Sequence, residues 1–150
     1  MRGRTVGFVS ALGVAAGLLI AAPAAQAATP AIQITKVYYN SPGSDTGSNS
    51  SLNAEWVRLT NKRSYTINLK SWTLRDKTGY TYTFSGDYRL PAGYRVYIHT
   101  GQSTNTSYHR YWGRSWYVWN NTGDTAYLRN SAGTLIDTCS WGSSGSYIYC

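Results

Sequence analysis

The sequence predicts an all-β domain, a sandwich or barrel of seven to eight strands, preceded by a targeting segment. Three observations lead there. From Ile32 onward apolar residues alternate in short runs, and turn residues interrupt those runs. The interruptions recur at about 8–12-residue spacing, as in sandwiches and barrels. After residue 28 there is no long Ala/Glu/Lys/Leu tract and only one Met occurs in the whole chain, which argues against a coiled coil or helix bundle.

The elements follow in order. Ile32 and Ile34 alternate, then Val37 and Tyr39 alternate in the opposite phase, which places a bulge near Thr35-Lys36. Ser41 to Asn53 is rich in Ser, Gly, Asn, Pro and Asp and reads as a mobile loop. In Glu55–Asn61, Val57 and Leu59 share one face while Trp56, Arg58 and Thr60 share the other. Ile67 and Leu69 begin a run that Trp72 and Leu74 continue after a one-residue phase change. Tyr82 and Phe84 alternate with threonines, Val96 and Ile98 with Tyr97 and His99. Ala126 and Leu128 form one further strand and Leu135–Cys139 another. Asp76-Lys77-Thr78-Gly79 and Asn130-Ser131-Ala132-Gly133 each lie between β runs. The first side chain can cap the turn and the glycine can take positive φ, so each predicts a hairpin. Leu90-Pro91-Ala92-Gly93 supplies a turn into the Arg95 strand, and no convincing helix or internal repeat follows the leader.

That leader is read from residues 1–27. Met1–Arg4 is positive, Val6–Ala22 is apolar, Pro23 breaks the run, and Ala25-Gln26-Ala27 fits the small-x-small rule of signal peptidase. The competing reading is a membrane anchor, but the small residues and the cleavage box favour removal. The predicted organisation is a signal peptide at 1–27 and one β-sandwich domain at 28–150, secreted and extracellular, with no transmembrane segment in the mature chain. N-terminal sequencing of secreted protein should therefore begin at Ala28; intact chain retained in the membrane fraction would contradict this.

Losing Arg2 and Arg4 lowers the formal charge by 2, from +8 to +6. A basic domain attracts anionic partners such as nucleic acid, teichoic acid or acidic lipid. Charged residues are only 13% of the chain, whereas six Trp, fourteen Tyr and two Phe supply ample apolar surface, which excludes a disordered chain. Cys139 and Cys150, close in sequence in an exported protein, are expected to form a disulfide rather than a metal site.

The ordered series Glu55-Trp56-Val57-Arg58-Leu59-Thr60-Asn61, Leu69-Lys70-Ser71-Trp72-Thr73-Leu74, Tyr82-Thr83-Phe84, Leu90-Pro91-Ala92-Gly93 with Val96-Tyr97-Ile98, and Val118 to Leu128 resembles the lamin tail domain. The resemblance runs from about Ile32 to Trp141, closest to the bacterial, secreted, single-domain form. It implies an immunoglobulin-like β-sandwich without catalysis of its own. In nuclear lamins such a domain is a protein- and DNA-interaction module, and in bacteria it often accompanies nucleases or other secreted enzymes. The expected core is Ile34, Val37, Val57, Leu59, Leu69, Trp72, Leu74, Phe84, Val96, Ile98, Trp119, Ala126 and Leu128.

No His-x-His, His-Glu-x-x-His or Gly-x-Ser-x-Gly pattern is present. Asp45, Asp76, Asp87 and Asp124 sit in turn contexts, where Asp caps backbone amides. A small hydrolase or nuclease would have to be assembled from His99, His109 and an Asp. Asp124 beside Asn120 and Asn121 could offer oxygens to Ca²⁺, but an Asx turn is the plainer reading. No cofactor or metal site is expected. Tyr108–Trp119 concentrates rings and cations beyond what a sandwich core needs. From it Arg110, Tyr111, Trp112, Arg114 and Trp116 form the expected ligand-binding set, with Val118 and Trp119 in the core. Its partner would be a protein, a glycan or an anionic polymer. The favoured reading is a non-catalytic secreted interaction domain; the alternative is a carbohydrate or cell-wall binding module using residues 108–119. Nucleic acid is compatible with the charge but framed by no motif.

Overall fold

A computed structural model of the chain describes Gly3 and residues 27–150. The predicted signal peptide therefore lies outside the described residues, apart from its Gly3 and Ala27. Eleven strands and one short helix follow. They are β1 (Ile32–Tyr38), α1 (Asn49–Ala54), β2 (Trp56–Asn61), β3 (Ile67–Asn68), β4 (Thr73–Arg75), β5 (Thr81–Thr83), β6 (Arg89–Leu90), β7 (Arg95–His99), β8 (His109–Tyr111), β9 (Asp124–Arg129), β10 (Leu135–Trp141) and β11 (Tyr147–Tyr149). A five-stranded sheet runs β11-β1-β2-β7-β8 and a four-stranded sheet β10-β9-β4-β5, with β3 and β6 paired separately. Every pairing is antiparallel except the parallel β7–β8.

Alternation decides which residues are inside. Ile32, Ile34, Val37, Val57, Leu59, Val96 and Ile98 of the larger sheet meet Leu74, Ala126, Leu128, Cys139 and Trp141 of the smaller in one buried cluster. All thirteen expected core residues are in it. The register of β1 against β2 shifts between Ile34 and Lys36, so the bulge at Thr35 turns both Ile34 and Val37 inward. Arg58 fastens that bulge: its Nε donates to Thr35 Oγ1 (2.9 Å) and a terminal nitrogen to the Thr35 carbonyl (3.3 Å). β11 reaches β1 only at Lys36–Tyr38, and the Ile34 N–H is taken by Asp137 of β10 instead (2.8 Å), tying the two sheets together.

Three expectations are corrected. The described residues form eleven strands, not seven to eight, because the Ile67–Leu74 run splits into β3 and β4 and because β6, β8 and β11, two or three residues each, are too short to show alternation. The phase change before Trp72 separates two strands: Ser71 takes φ 63°, and Trp72 N–H donates back to the Leu69 carbonyl (2.9 Å). The Ser41–Asn53 loop ends in a helix, capped by the Ser48 hydroxyl on Ser51 N–H (3.3 Å) and anchored by buried Leu52. At six residues α1 is too short to display helical periodicity in sequence. Both predicted hairpins form. Gly133, at φ 80°, closes the β9–β10 turn onto the Asn130 carbonyl (2.9 Å).

Cys139 and Cys150 are bonded, with Cα atoms 5.8 Å apart. The bridge joins edge strand β10 of one sheet to the end of edge strand β11 of the other. Closing a loop this short removes chain entropy worth about 2–3 kcal/mol from the unfolded state. Reduction should lower the urea midpoint accordingly; an unchanged midpoint with both thiols free would contradict this.

Candidate functional site

The five residues expected to bind ligand do not form one surface. Trp112 is partly buried and turns toward the core, edge-on to Trp119 (centroids 5.9 Å) and Tyr82 (5.9 Å). Arg110 lays its guanidinium on Tyr88 (4.1 Å), and Arg114 on Tyr80 (4.1 Å). Trp116 stands 58% exposed beside Tyr117. Tyr111, on β8, stacks against His99 (5.0 Å) and so joins the outer face of the five-stranded sheet.

That outer face is the most distinctive surface of the molecule. Its inner counterparts alternate with it, so the register fixes two rows running across all five strands. One row is Tyr147, Tyr38, Trp56, His99, Tyr111; the other is Tyr149, Lys36, Arg58, Tyr97, His109. All ten positions are aromatic or basic, where an ordinary solvent face would carry Thr, Ser and mixed charges. The rings form a continuous chain: Tyr147–Tyr38 5.6 Å, Tyr38–Trp56 5.6 Å, Trp56–Tyr97 5.1 Å, Tyr97–His109 5.2 Å, His109–His99 5.2 Å. Apart from the edge-on Trp56–Tyr97 pair, these neighbours overlap as stacked or tilted pairs, so each ring's face is partly covered by the next while its edges stay free. Those edges carry phenol hydroxyls and ring nitrogens.

The charge on this face is positive and unneutralised. Lys36 Nζ sits 3.8 Å from the Tyr147 centroid and 4.7 Å from that of Tyr149. Among the described residues the only ion pairs join Asp87 to Lys70 and Arg89, away from Lys36 and Arg58. His99 Nδ1 donates to the Asn53 carbonyl (2.7 Å), which leaves Nε2 to accept from His109 Nδ1 (2.9 Å). Burial pushes the His99 pKa down; the Asn53 bond opposes this and neighbouring His109 adds to it. The two histidines that a nuclease reading needed thus come together. No Asp, Glu or Cys joins them in a metal-sized cluster among the described residues.

Two carboxylates organise the start of strand β2 and the loop before β9. Glu55 is fully buried; its oxygens accept Trp119 N–H (2.8 Å) and Val118 N–H (3.2 Å). Burial pushes its pKa up to about 7, against the pull of those amides and of the Thr100 hydroxyl, which lies buried just outside hydrogen-bond geometry; the Asp45 charge adds slightly to the rise. Asp124 accepts Asn120 N–H (3.1 Å), Lys77 N–H (3.0 Å) and its neighbour Thr125 N–H (2.7 Å), so it is a turn cap, as the Asx reading expected. Glu55 is the residue that sequence reasoning passed over. A carboxylate opening a strand gives no sign that it will face inward.

The architecture defines an immunoglobulin-like β-sandwich with a broad aromatic and basic sheet face. The sequence pattern of the Lamin Tail Domain family matches residues 25–143, and the chain belongs to that family of non-enzymatic immunoglobulin-like domains. No curated protein matches the chain.

Proposed function

We propose that this chain is a secreted binding domain without catalysis of its own, and that its outer five-stranded face binds an acidic polysaccharide. The observation that carries this reading is the pair of five-residue rows, aromatic or basic at every position. Lys36 and Arg58 supply charge in the middle of the face, and no carboxylate within ion-pair distance cancels it. The ring arrangement favours a glycan over single-stranded nucleic acid. Nucleobases depend on open ring faces for stacking, whereas here most neighbouring rings lie against one another, and the phenol, imidazole and cationic groups of the face suit the hydroxyls and carboxylates of an acidic sugar chain. Secretion rests on the leader read at residues 1–27.

Fluorescently labelled polygalacturonate and single-stranded DNA, titrated in parallel, test the proposal. Polygalacturonate is expected to bind more tightly, with affinity falling as salt rises. Lys36→Glu with Arg58→Glu should weaken it at least tenfold, about 1.4 kcal/mol. Tighter binding of DNA at every salt concentration, or an unaffected double variant, would overturn the assignment.

A further inference from the structure

Beside the buried Glu55 lies a cleft of about 440 Å³, bordered by Asp45, Thr78, Tyr80, Trp116, Tyr117 and Asn121. We infer that it is a second, independent binding site, for a neutral pyranose unit of a glycan. Its volume lies within the range of small-ligand pockets, ~300–1,000 Å³.

Two rings stand open at its border, Trp116 at 58% and Tyr80 at 46% exposure. Both are held. Trp116 rests on Gly47, where a Cβ would collide with its six-membered ring, and meets Tyr117 edge-on (centroids 5.4 Å, 74°). The Tyr117 hydroxyl is itself fixed by Ser51 Oγ (2.5 Å) and by the Gly47 N–H (3.3 Å). Tyr80 is backed on one side by Arg114 (4.1 Å). A ring held in place loses little entropy when a ligand stacks on it.

The polar groups select the ligand class. The floor of the cleft is Val118–Asn120. Its three successive N–H groups are already consumed, by Glu55 for Val118 and Trp119 and by Asp124 for Asn120. The Asn120 carbonyl is likewise engaged, by Gly123 N–H (3.3 Å) and Trp141 Nε1–H (2.9 Å). An extended peptide would find no free main-chain ladder here, which strand addition requires. What remains are side-chain groups beside ring faces: the Asp45 carboxylate, the Asn121 carboxamide that donates to it (3.0 Å), and the Thr78 hydroxyl, which donates to Asp76 and is left as an acceptor. A pyranose completes this set, with C–H bonds against a ring and hydroxyls on carboxylate and amide. Among the described residues Asp45 is the one charged side chain lining the cleft, which disfavours an anionic sugar and so sets this ligand apart from that of the sheet face.

Calorimetric titration of the disulfide-bonded domain with cellotriose, maltotriose, mannotriose and tri-N-acetylchitotriose tests this. At least one is expected to bind, with affinity unchanged by added salt. Trp116→Ala should reduce that affinity at least tenfold, Trp116→Phe should restore part of it, and thermal melting of both variants should match the parent. Lys36→Glu should leave this binding intact, which separates it from the sheet-face reading. Binding by none of the four sugars, or binding that survives Trp116→Ala, overturns the inference.

Discussion

Trp119→Ala is expected to cost about 3–5 kcal/mol of stability, the range for truncating a buried large aromatic. Trp119 is 2% exposed and packs edge-on against both Trp112 (5.9 Å) and Trp141 (5.8 Å), so the alanine variant leaves a void among rigid rings that cannot close over it. A loss of that size should lower the melting temperature by on the order of 10–20 °C. Trp119→Phe should cost far less. The Trp119 Nε1–H is buried without a partner, so phenylalanine keeps most of the packing and removes an unsatisfied donor. A calorimetric melt in which the two variants fall equally would contradict this account of the site.

Glu55 predicts an unusual pH dependence. Its pKa is about 7 in the fold, against an ordinary value of 4.5. Between those values the folded protein holds a proton that the unfolded chain has released, so stability falls as pH rises through this window. At about 1.4 kcal/mol per pH unit, the loss between pH 4.5 and 7 sums to about 3 kcal/mol. Above pH 7 both states are ionised and the group contributes no further slope. Asp137, its pKa also raised by burial, acts in the same direction at lower pH, whereas His99, its pKa lowered, acts oppositely. The comparison with Glu55→Gln isolates the effect. Urea midpoints measured at pH 5 and 7.5 should drop less for the glutamine variant than for the parent. An identical drop would place the titrating group elsewhere.

Much of the scaffold was legible because it depends on local rules. Inward alternation in Val57/Leu59, Val96/Ile98 and Ala126/Leu128 identified the core, and the phase slip between Ile34 and Val37 located the bulge. The Asx-x-x-Gly turns and the Cys139–Cys150 pairing were readable for the same reason. The sheet face was only half legible. Alternation already put Trp56 and Arg58 opposite Val57 and Leu59, and Tyr97 and His99 opposite Val96 and Ile98. What periodicity within a strand cannot supply is the register that brings Tyr147, more than a hundred residues from Tyr38 along the chain, to its side. The 108–119 loop was only partly legible for a complementary reason. A dense run of rings does not say which ring turns in, and Trp112 turns toward Trp119 while Trp116 stays out.

The central claim is that the outer face of the five-stranded sheet is the binding surface, and chemical-shift mapping tests it most directly. Isotope-labelled domain titrated with short polygalacturonate fragments should show its largest perturbations at Lys36, Tyr38, Trp56, Arg58 and Tyr97, with the inner-face residues Val57 and Ile98 shifting less. Perturbations confined to other surfaces, or none at saturating fragment, would contradict the assignment of that face.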